Sequence, residues 1–474
     1  MIMNKTKIIG TIGPSSNSKE VFTELVKSGL RIARLNLSHG EQEMHAKNID
    51  MIKEVREELG IPVALLMDTR GPEIRTRNFV GGIATLKTGD MVILSPEDFE
   101  GDSSRISVTY PSLHTDVAVG SPILIDDGLI ELEVKEIKGS EIHCLIKNGG
   151  DVKNHKGINV PNIHLNLPIL TPKDEADLIF GVEQDIDFVA ASFIRSAADV
   201  EIIRKHLVTH GGKHVQIIAK IENQEGVNNI KEIVQAADGI MVARGDLGVE
   251  TPPELIPEVQ KKIVDICNDM EKPVIIATQM LDSMIKNPRP TRAEVSDVAN
   301  AIWDGADAIM LSGESAAGAY PIESVRMMKR IAIQTEKSVR DRTKRHRTIY
   351  DRGTSVTNAV SFATVTTAEY LNAKAIICPT YEGYTARLIS KFKPDSMIVA
   401  TTSNPKIQRI MQLYWGVEPI LVKQETSSEI LFYKSVATIK QMGIAQEGDL
   451  VVITAGIPLG ISGNTNLMKV QEVE

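Results

Sequence analysis

The sequence predicts an α/β protein built on a (β/α)₈ TIM barrel, with a small β-barrel lid domain inserted into it and an α/β domain after it. Three observations favour this fold. Short β-branched runs alternate with longer helical patterns over most of the 474 residues. After the third run, strand-like alternation replaces the helical pattern for about a hundred residues. After the eighth run, α/β alternation continues to the end of the sequence.

Eight apolar runs are separated by helical patterns, as expected of parallel strands joined by crossover helices. Eight such units favour a closed barrel over an open sheet. The runs are Lys7–Ile12, Ile32–Leu37, Val63–Met67, Phe188–Ala191, Val215–Ile221, Gly239–Ala243, Val274–Ala277 and Ala308–Leu311.

Helix-start signals precede several of the crossovers. Asn17, Thr171 and Thr291 are each followed by an acidic residue three positions later, the spacing of a capping box. Gly29 is placed to end the first of these helices. These signals predict crossover helices after the first strand, before the fourth and before the eighth.

The region 71–170 is predicted to be the inserted β domain. Ile130, Leu132 and Val134 alternate as in a half-buried strand, and Lys138-Gly139-Ser140 can turn a hairpin. An insertion after a barrel strand lies over the barrel mouth, where lids sit. We therefore expect a barrel of residues 1–70 and 171–340 with a lid of residues 71–170.

Residues 341–474 are expected to form the separate α/β domain. Its strand-like runs are Ala375–Pro379, Met397–Thr401, Pro419–Val422 and Asp449–Thr454. The basic stretch from Arg340 to Arg347 precedes them. We interpret that stretch as a solvated linker or helix end, with an anion site as the alternative.

Composition excludes several classes of protein. With 53 basic and 62 acidic residues, the formal charge is −9, which argues against general affinity for nucleic acid or anionic membranes. Cys144, Cys267 and Cys378 have no CxxC spacing, so neither a disulfide framework nor structural zinc is expected. No signal-peptide core or membrane-length apolar run occurs. These features predict a cytoplasmic protein.

Polar side chains follow seven of the eight predicted strands. The C-terminal ends of barrel strands carry the catalytic groups of such enzymes, so together these residues indicate an active site. They are Asn36, Ser38, His39, Asp68, Thr69, Arg70, Ser192, Arg195, Lys220, Glu222, Arg244, Asp246, Thr278, Gln279, Ser312 and Glu314.

The chemistry of this ring indicates an anionic substrate. Glu222 and Asp246 on adjacent strands suit Mg²⁺ or Mn²⁺. Lys220 alternates with Glu222, so both can face the barrel axis, although a structural Lys–Glu pair is the alternative. Arg34 and Arg75 add charge suited to phosphoryl oxygens. Since P-loop and protein-kinase motifs are absent from the sequence, any phosphate chemistry belongs to the barrel mouth.

Eight segments carry a family resemblance. They are Thr11–Pro14, Arg34–Gly40, Met67–Thr76, Ile125–Gly128, Ile218–Asn223, Met241–Val249, Ala277–Leu281 and Pro290–Glu294. In content and order they resemble pyruvate kinase of the bacterial type over essentially the whole chain. The resemblance implies transfer of the phosphoryl group of phosphoenolpyruvate to ADP, protonation of the resulting enolate to pyruvate, and a homotetramer.

The resemblance also implies residue roles. Lys220 would stabilise the transferring phosphoryl group, and Thr278 would belong to the proton relay. Arg34 would contact the phosphoryl group, and the Gly245 amide the substrate carboxylate. The implied ligands of Mg²⁺ or Mn²⁺ are Glu222 and Asp246, and the implied substrate-binding residues are Arg34, Lys220, Gly245, Asp246 and Thr278.

Two further ligands are implied in the same way. Asn36, Ser38, Asp68 and Thr69 match the family's K⁺ site, and Glu73 matches potassium-dependent members, so we expect K⁺ dependence. The positions that match nucleotide contacts are Asn36, His39, Arg75 and Lys156, with Lys156 reaching from the lid.

The sequence contains features both for and against an effector site in the C-terminal domain. Tyr381, Glu382 and Tyr384 interrupt the Ser/Thr-rich phosphate loop of members activated by fructose bisphosphate, and Glu382 would repel a phosphate. The segment Gly456–Gly463 resembles the second effector loop of the family. A sugar-phosphate or nucleotide effector is therefore compatible with the sequence.

Two other functions compete with the kinase. A metal-dependent lyase or aldolase acting on pyruvate or phosphoenolpyruvate would use the same carboxylate pair, but it needs neither Arg75, Lys156 nor a lid. A non-catalytic binding protein on the same fold would be expected to lack Lys220, Glu222, Asp246 or Thr278, and all four are present.

Overall fold

The computed structural model describes residues 4–346, 355–461 and 463–474, with the side chains of residues 339–346 outside the description. The side chains of the basic stretch from Arg340 to Arg347 therefore lie outside the described residues, and so does Ser462 of the second effector-like segment.

The first elements form one side of the barrel. They are β1 (Lys7–Thr11), α1 (Lys19–Ser28), β2 (Ile32–Asn36), α2 (Gln42–Leu59) and β3 (Ala64–Asp68).

The cap of α1 corrects one prediction and confirms another. Ser18, not Asn17, is the N-cap, because its backbone is extended and its side chain accepts the Val21 N–H. Gly29 ends the helix as predicted, with φ 126° and its N–H bonded to the Leu25 and Val26 carbonyls.

The inserted segment is a β domain. Its elements are β4 (Ile74–Arg75), β5 (Ile83–Leu86), β6 (Met91–Ser95), β7 (Arg105–Ser107), α3 (Leu113–Asp116), β8 (Pro122–Ile125), β9 (Ile130–Lys138), β10 (Glu141–Asn148), β11 (Gly150–Lys153) and β12 (Gly157–Asn159). Seven strands form a sheet in the order β4-β12-β8-β9-β10-β6-β7, while β5 and β11 pair separately. A bridge between Thr76 and Val108, next to the edge strands β4 and β7, brings the two edges together. The predicted hairpin is confirmed: Lys138 pairs with Glu141 across a turn in which Gly139 has φ 62°.

The chain then returns to the barrel. The elements are α4 (Pro172–Glu183), β13 (Phe188–Ala191), α5 (Ala197–Thr209), β14 (Gln216–Ile221), α6 (Gln224–Asn228), α7 (Ile230–Ala236), β15 (Gly239–Ala243), α8 (Arg244–Glu250), α9 (Ile256–Asp269), β16 (Val274–Ala277), α10 (Arg292–Asp304), β17 (Ala308–Leu311), α11 (Gly313–Ala316) and α12 (Pro321–His346). The predicted capping boxes at Thr171 and Thr291 are present. Helix α12 runs across residue 340, where the sequence placed the end of the barrel domain.

Eight parallel strands close the barrel in the order β1-β17-β16-β15-β14-β13-β3-β2. All eight predicted strands are therefore confirmed, each within one residue at either end. Along each strand, side chains alternate between the axis and the surrounding helices. Ile9, Ile32, Leu66 and Phe188 belong to one buried cluster, while neighbours such as Ile8 and Leu65 pack in another.

The last described part is an α/β domain. It contains α13 (Val356–Tyr370), β18 (Ala375–Pro379), α14 (Tyr384–Lys391), β19 (Met397–Thr402), α15 (Pro405–Ile410), β20 (Val417–Leu421), α16 (Ser428–Gln441), β21 (Leu450–Ala455) and β22 (Leu467–Glu472). The sheet order is β20-β19-β18-β21-β22, and only β22 is antiparallel to its neighbour. The four predicted strands of this domain are confirmed as β18 to β21.

The C-terminal domain packs against the end of the barrel where the strands begin. Arg409 Nε lies 2.8 Å from Asp187 Oδ1, just before β13, and the Lys7 ammonium donates to the Val417 carbonyl at 2.6 Å. The opposite end, where the strands finish, faces the inserted domain. Within the described residues, no helix combines the length and apolarity needed to cross a membrane.

Candidate active site

The strand ends bring a charged cluster together at the barrel mouth. Lys220 on β14 is its centre, with a side chain only 11% exposed. Its Nζ lies 3.1 Å from Asp68 Oδ1 and 2.9 Å from Glu222 Oε1, and it donates to Ser192 Oγ at 2.8 Å. Three partners therefore fix one ammonium group in position.

Charge, not burial, sets the protonation of Lys220. Burial favours its neutral form, but the negative charges of Asp68 and Glu222 outweigh that effect and raise the pKa of Lys220 above its ordinary value. Lys220 therefore remains a cation at neutral pH.

Asp68 anchors a second cation as well. Arg34 on β2 donates from Nε to Asp68 Oδ2 at 2.7 Å and from Nη1 to Thr11 Oγ1 at 2.8 Å. Burial alone would raise the pKa of Asp68, but Lys220 and Arg34 lower it. One buried carboxylate thus orients both cations that the sequence assigned to the phosphoryl group.

Glu222 and Asp246 form the predicted carboxylate pair. Burial and the neighbouring Asp246 raise the pKa of Glu222 above its ordinary value although Lys220 opposes this, and burial also raises the pKa of Asp246. Glu222 Oε2 accepts the Phe193 N–H at 2.7 Å, which fixes the carboxylate. A divalent cation would relieve the repulsion between the two acids, so these residues fit Mg²⁺ or Mn²⁺.

The protein contributes few ligands to such a metal. No cluster of three or more His, Cys, Asp or Glu side chains suited to a metal occurs in the part of the chain that the structure describes. Two carboxylates suit Mg²⁺, which keeps several water or substrate oxygens in its coordination shell. The rest of the shell is thus available to an oxyanionic substrate.

Thr278 occupies a strained position at the end of β16. Its φ is 70°, which is an uncommon conformation for a β-branched residue, and the φ of the next residue, Gln279, is 55°. Thr278 Oγ1 accepts the Gly245 N–H at 2.7 Å, and Arg244 Nη2 donates to the Thr278 carbonyl at 2.8 Å. Arg244 is held by Asp297 at 2.7 Å. The Thr278 hydroxyl and the Gly245 amide, to which the resemblance gives roles toward the substrate, are therefore in direct contact.

A cavity of about 530 Å³ adjoins these groups. Gly245, Asp246 and Gln279 line it from the barrel, and Asp127 lines it from the inserted domain. Because both domains contribute, movement of the inserted domain would change access to the site.

The predicted nucleotide positions bond elsewhere in this structure. Arg75 donates to Glu73 Oε2 at 2.7 Å and to the His155 carbonyl at 2.8 Å, and Lys156 pairs with Asp126 at 2.7 Å. His39 is exposed. Arg34, Asp68, Lys220 and Glu222 thus form one connected network of hydrogen bonds and ion pairs. Arg75 and Lys156 make their hydrogen bonds and ion pairs with residues outside that network.

The predicted K⁺ residues are neighbours. Asn36 is the register partner of Asp68 across β2 and β3, and Asn36 Oδ1 accepts the Ser38 N–H at 3.2 Å. The Thr69 carbonyl accepts a hydrogen bond from Ser192 Oγ at 2.7 Å. Amide, hydroxyl, carboxylate and carbonyl oxygens are ligands that suit a hard monovalent cation.

Sequence reasoning did not assign roles to three residues of this region. Ser192 was noted only as a strand end, yet it contacts Lys220. Asp127 faces the cavity from a turn of the lid, and Glu250 at the end of α8 accepts a hydrogen bond from Asn159 Nδ2 at 3.2 Å. The position of Ser192 after β13 gave a signal in the sequence, and Asp127 lies within the Ile125–Gly128 segment of the resemblance, whereas the contact of Glu250 depends on how the inserted domain docks.

Glu250 gives a prediction about pH. Burial, and to a lesser degree Glu222, raises its pKa to about 7. A carboxyl whose pKa is higher in the folded state holds its proton there, so its contribution to stability is lost as pH rises from about 4.5 to 7. Glu250→Gln keeps the Asn159 contact and removes this loss. The free energy of unfolding of the variant, relative to that of wild type, should therefore be higher at pH 7.5 than at pH 5 by up to about 3 kcal/mol.

Urea unfolding of both proteins in a chelator, at pH 5 and pH 7.5, measures this difference. Glu254→Gln, a substitution of the same type just beyond α8, is the control for the loss of one acidic side chain. An equal effect of Glu250→Gln at both pH values would contradict the prediction.

A second cavity, of about 360 Å³, lies in the C-terminal domain. The Thr380–Thr385 loop and Gly456 line it, together with Lys423 and Glu425. The two loops that the sequence compared with effector loops thus border one space, and Glu382 faces it as a negative charge.

The fold and the cluster define a class: an enzyme of the (β/α)₈-barrel type with paired carboxylates and a fixed lysine at the barrel mouth. Comparison with known proteins narrows the class. The family model "Pyruvate kinase, barrel domain" matches residues 3–325, and "Pyruvate kinase, alpha/beta domain" matches residues 358–471.

Relatives of known sequence agree. Pyruvate kinase of Geobacillus stearothermophilus is 50% identical over 471 residues, covering 99% of this chain and 80% of the relative. That of Staphylococcus saprophyticus is 50% identical over 479 residues, covering 99% and 81%. A crystal structure of a pyruvate kinase from Cryptosporidium parvum matches with a TM-score of 0.92 at 38% identity, covering 99% of this chain and 96% of that one.

The chain belongs to the pyruvate kinase family. It is accordingly a transferase, and the family identity supports phosphoryl transfer from phosphoenolpyruvate to ADP.

Proposed function

We propose that the barrel mouth transfers the phosphoryl group of phosphoenolpyruvate to ADP, giving pyruvate and ATP, with assistance from a divalent cation and K⁺. The observation that carries this proposal is the ammonium of Lys220, held between Asp68 and Glu222 beside Asp246. A loose phosphoryl-transfer transition state needs fixed positive charge more than it needs a nucleophile, and this cluster supplies such charge.

The cations at the mouth bind and orient the substrate. Lys220 and Arg34 are both fixed by Asp68, so neither must reorganise as charge moves to the transferring group. The Gly245 N–H, at the start of α8, donates to Thr278 Oγ1 in this structure and would exchange that partner for the substrate carboxylate. Glu222 and Asp246 would hold Mg²⁺ or Mn²⁺, which supplies electrostatic stabilisation of phosphoryl and enolate oxygens when bound.

Thr278 is the group suited to the proton step. Its hydroxyl lies 2.7 Å from the Gly245 nitrogen, next to where the substrate carboxylate would bind. A threonine hydroxyl is a weak acid on its own, so it acts here within a relay of hydroxyl groups and water. The left-handed backbone at Thr278 aims the side chain into this position.

We propose that Asn36, Ser38, Asp68 and Thr69 hold K⁺. A monovalent cation there adds positive charge beside the phosphoryl site. Replacing K⁺ with tetramethylammonium is expected to lower the rate about tenfold or more. Ser38→Ala should raise the K⁺ concentration needed for half-maximal rate, whereas Ser18→Ala, at the distant cap of α1, should not. Equal rates in both salts would contradict the K⁺ site.

The remaining assignments concern binding partners. We propose that Asn36, His39, Arg75 and Lys156 contact the nucleotide once the lid, residues 71–170, closes over the barrel. This requires Arg75 and Lys156 to exchange Glu73 and Asp126 for phosphate. The barrel domain would then comprise residues 1–70 and 171–340.

We further propose a sugar-phosphate or nucleotide effector for the cavity of the C-terminal domain, residues 341–474. Its two bordering loops and Lys423 support binding of a polar ligand with one phosphate group, while Glu382 and Glu425 disfavour a ligand of higher negative charge. A homotetramer and a cytoplasmic location are part of the same proposal; the family resemblance supports both, and the spacing of the three cysteines, which offers no disulfide framework, supports the location.

Pyruvate formation from phosphoenolpyruvate, coupled to lactate dehydrogenase, tests the proposed function. With Mg²⁺ and K⁺ present, the rate should depend on ADP and vanish without it. A lyase or aldolase would act on its substrate without ADP, so activity independent of ADP would favour that alternative. Folded protein without activity would favour a non-catalytic binding protein.

A further inference from the structure

The segment that leads from the lid back to the barrel, residues 160–170, is here called the strap. It connects β12 to α4 without regular secondary structure. Ile163, Leu165 and Leu167 alternate along it and pack against the hydrophobic core of the lid. The strap therefore moves with the lid, and whatever holds its backbone also holds the lid.

One barrel side chain holds that backbone. Arg195, in the loop after β13, donates from Nη1 to the Leu165 carbonyl at 2.6 Å and from Nη2 to the Leu167 carbonyl at 2.9 Å. Its side chain is 15% exposed, and its Nε lies 3.7 Å from Asp199 Oδ2. A planar guanidinium suits this geometry because it presents several donors in a rigid arrangement.

The lid holds the same strap from the other side. Asp116 accepts the Asn166 N–H and the Asn166 Nδ2–H, both at 3.1 Å. Its other partners, Tyr110 and Thr115, belong to the lid. The strap is thus bonded alternately to barrel and lid over three successive residues.

The loop that carries Arg195 also orients the catalytic cluster. Ser192 Oγ accepts a hydrogen bond from Lys220 at 2.8 Å, and the Phe193 N–H donates to Glu222 at 2.7 Å. Phe193 has φ 57°, a strained conformation outside glycine. A cavity of about 300 Å³ between the loop and the strap leaves room for movement.

We propose that Arg195 is a positioning residue that couples the position of the lid to the geometry of Lys220 and Glu222. Movement of the lid displaces the Leu165 and Leu167 carbonyls, and Arg195 transmits that displacement to Ser192 and Phe193. This inference rests on the proposed function for its catalytic meaning, but the coupling itself can be measured without substrate.

Hydrogen exchange of the Phe193 amide measures the coupling directly. Asp116→Ala removes the two hydrogen bonds between the lid and Asn166 and leaves the Arg195 contacts in place; it should speed exchange at Phe193 about tenfold although Asp116 bonds only to lid and strap. In the Arg195→Met background the same substitution should have no further effect at Phe193. If Asp116→Ala leaves Phe193 exchange unchanged, or acts equally in both backgrounds, the coupling is wrong.

Steady-state kinetics provide the second readout. Arg195→Met should lower kcat about tenfold or more and raise KM for ADP, with KM for phosphoenolpyruvate changed less than about twofold, because the lid carries the proposed nucleotide contacts. Arg195→Lys can still donate to one carbonyl, so its kcat and its KM for ADP should lie between those of Arg195→Met and wild type. It replaces Arg195→Met in this test if the methionine variant fails to fold.

Arg204→Met is the matched control. Arg204 lies on α5 and likewise binds a carbonyl and a carboxylate, those of Ala236 and Asp238, away from the strap. It should leave kcat and both KM values unchanged. If Arg195 variants behave like Arg204→Met, Arg195 has no positioning role. An inactive wild type would instead contradict the proposed function, while the exchange experiment would still decide the coupling.

Discussion

Lys220→Met is expected to lower kcat by about 10³-fold while the affinity for phosphoenolpyruvate falls much less. Lys220 is a fixed cation that contacts the carboxylates of Asp68 and Glu222. Its positive charge matters most in the transition state, where negative charge spreads over the transferring phosphoryl group. Arg34 and the Gly245 amide remain to bind the ground state. Turnover from the coupled assay and binding from calorimetry measure the two effects.

The same substitution also tests the charge balance of the cluster. Without Lys220, the buried carboxylates of Asp68 and Glu222 lose a partner, which should cost about 3 kcal/mol or more of stability in a chelator. Lys173→Met removes a lysine that pairs with Asp177 outside the cluster, and is the control for loss of one ion pair. Unchanged turnover in Lys220→Met would remove Lys220 from the mechanism.

Glu222→Gln is expected to raise the Mg²⁺ concentration needed for half-maximal rate about 100-fold or more. Loss of a residue that only hydrogen-bonds to a metal ligand typically lowers metal affinity by about 10- to 100-fold. Because Glu222 is itself a proposed ligand, its loss should have at least the larger effect. The amide keeps the size of the side chain but removes the negative charge that attracts the cation. Mn²⁺ binding followed by electron paramagnetic resonance measures affinity without turnover.

Glu54→Gln is the matched control for that experiment. Glu54 lies on α2, away from the strap, where it pairs with Lys19 at 2.6 Å. It should leave Mn²⁺ affinity unchanged. Equal Mn²⁺ affinity in Glu222→Gln and wild type would show that the carboxylate pair is not the metal site.

The strands of the barrel were predictable from sequence because each is a short, β-branched run buried on both faces. A run such as Phe188–Ala191 is strongly predictive of a buried strand. The polar residues that follow such runs lie together at one end of the barrel, because all its strands are parallel. The presence of Lys220, Asp68 and Glu222 at one end of the barrel follows from this rule, whereas the ion pair of Lys220 with Asp68 is a finding of the structure. The cap of α1 was missed by one residue because Asn17 and Ser18 are both good caps and only the backbone conformation selects between them.

The contacts between domains could not be predicted in this way. Asp127, Glu250 and the strap contacts of Arg195 depend on how the inserted domain docks on the barrel, which no periodicity in the sequence specifies. The positive φ of Thr278 was equally hidden, because a β-branched residue predicts extended backbone. These are sites where local preference yields to tertiary structure.

Phosphorus NMR of phosphoenolpyruvate and ADP mixed with the wild-type protein, Mg²⁺ and K⁺ tests the central claim most directly. The phosphoenolpyruvate signal should disappear as the γ-phosphoryl signal of ATP grows in equal amount, and Lys220→Met should leave both nearly constant over the same time. Release of inorganic phosphate in place of ATP, or an unchanged spectrum with folded wild-type protein, would contradict phosphoryl transfer at this barrel mouth.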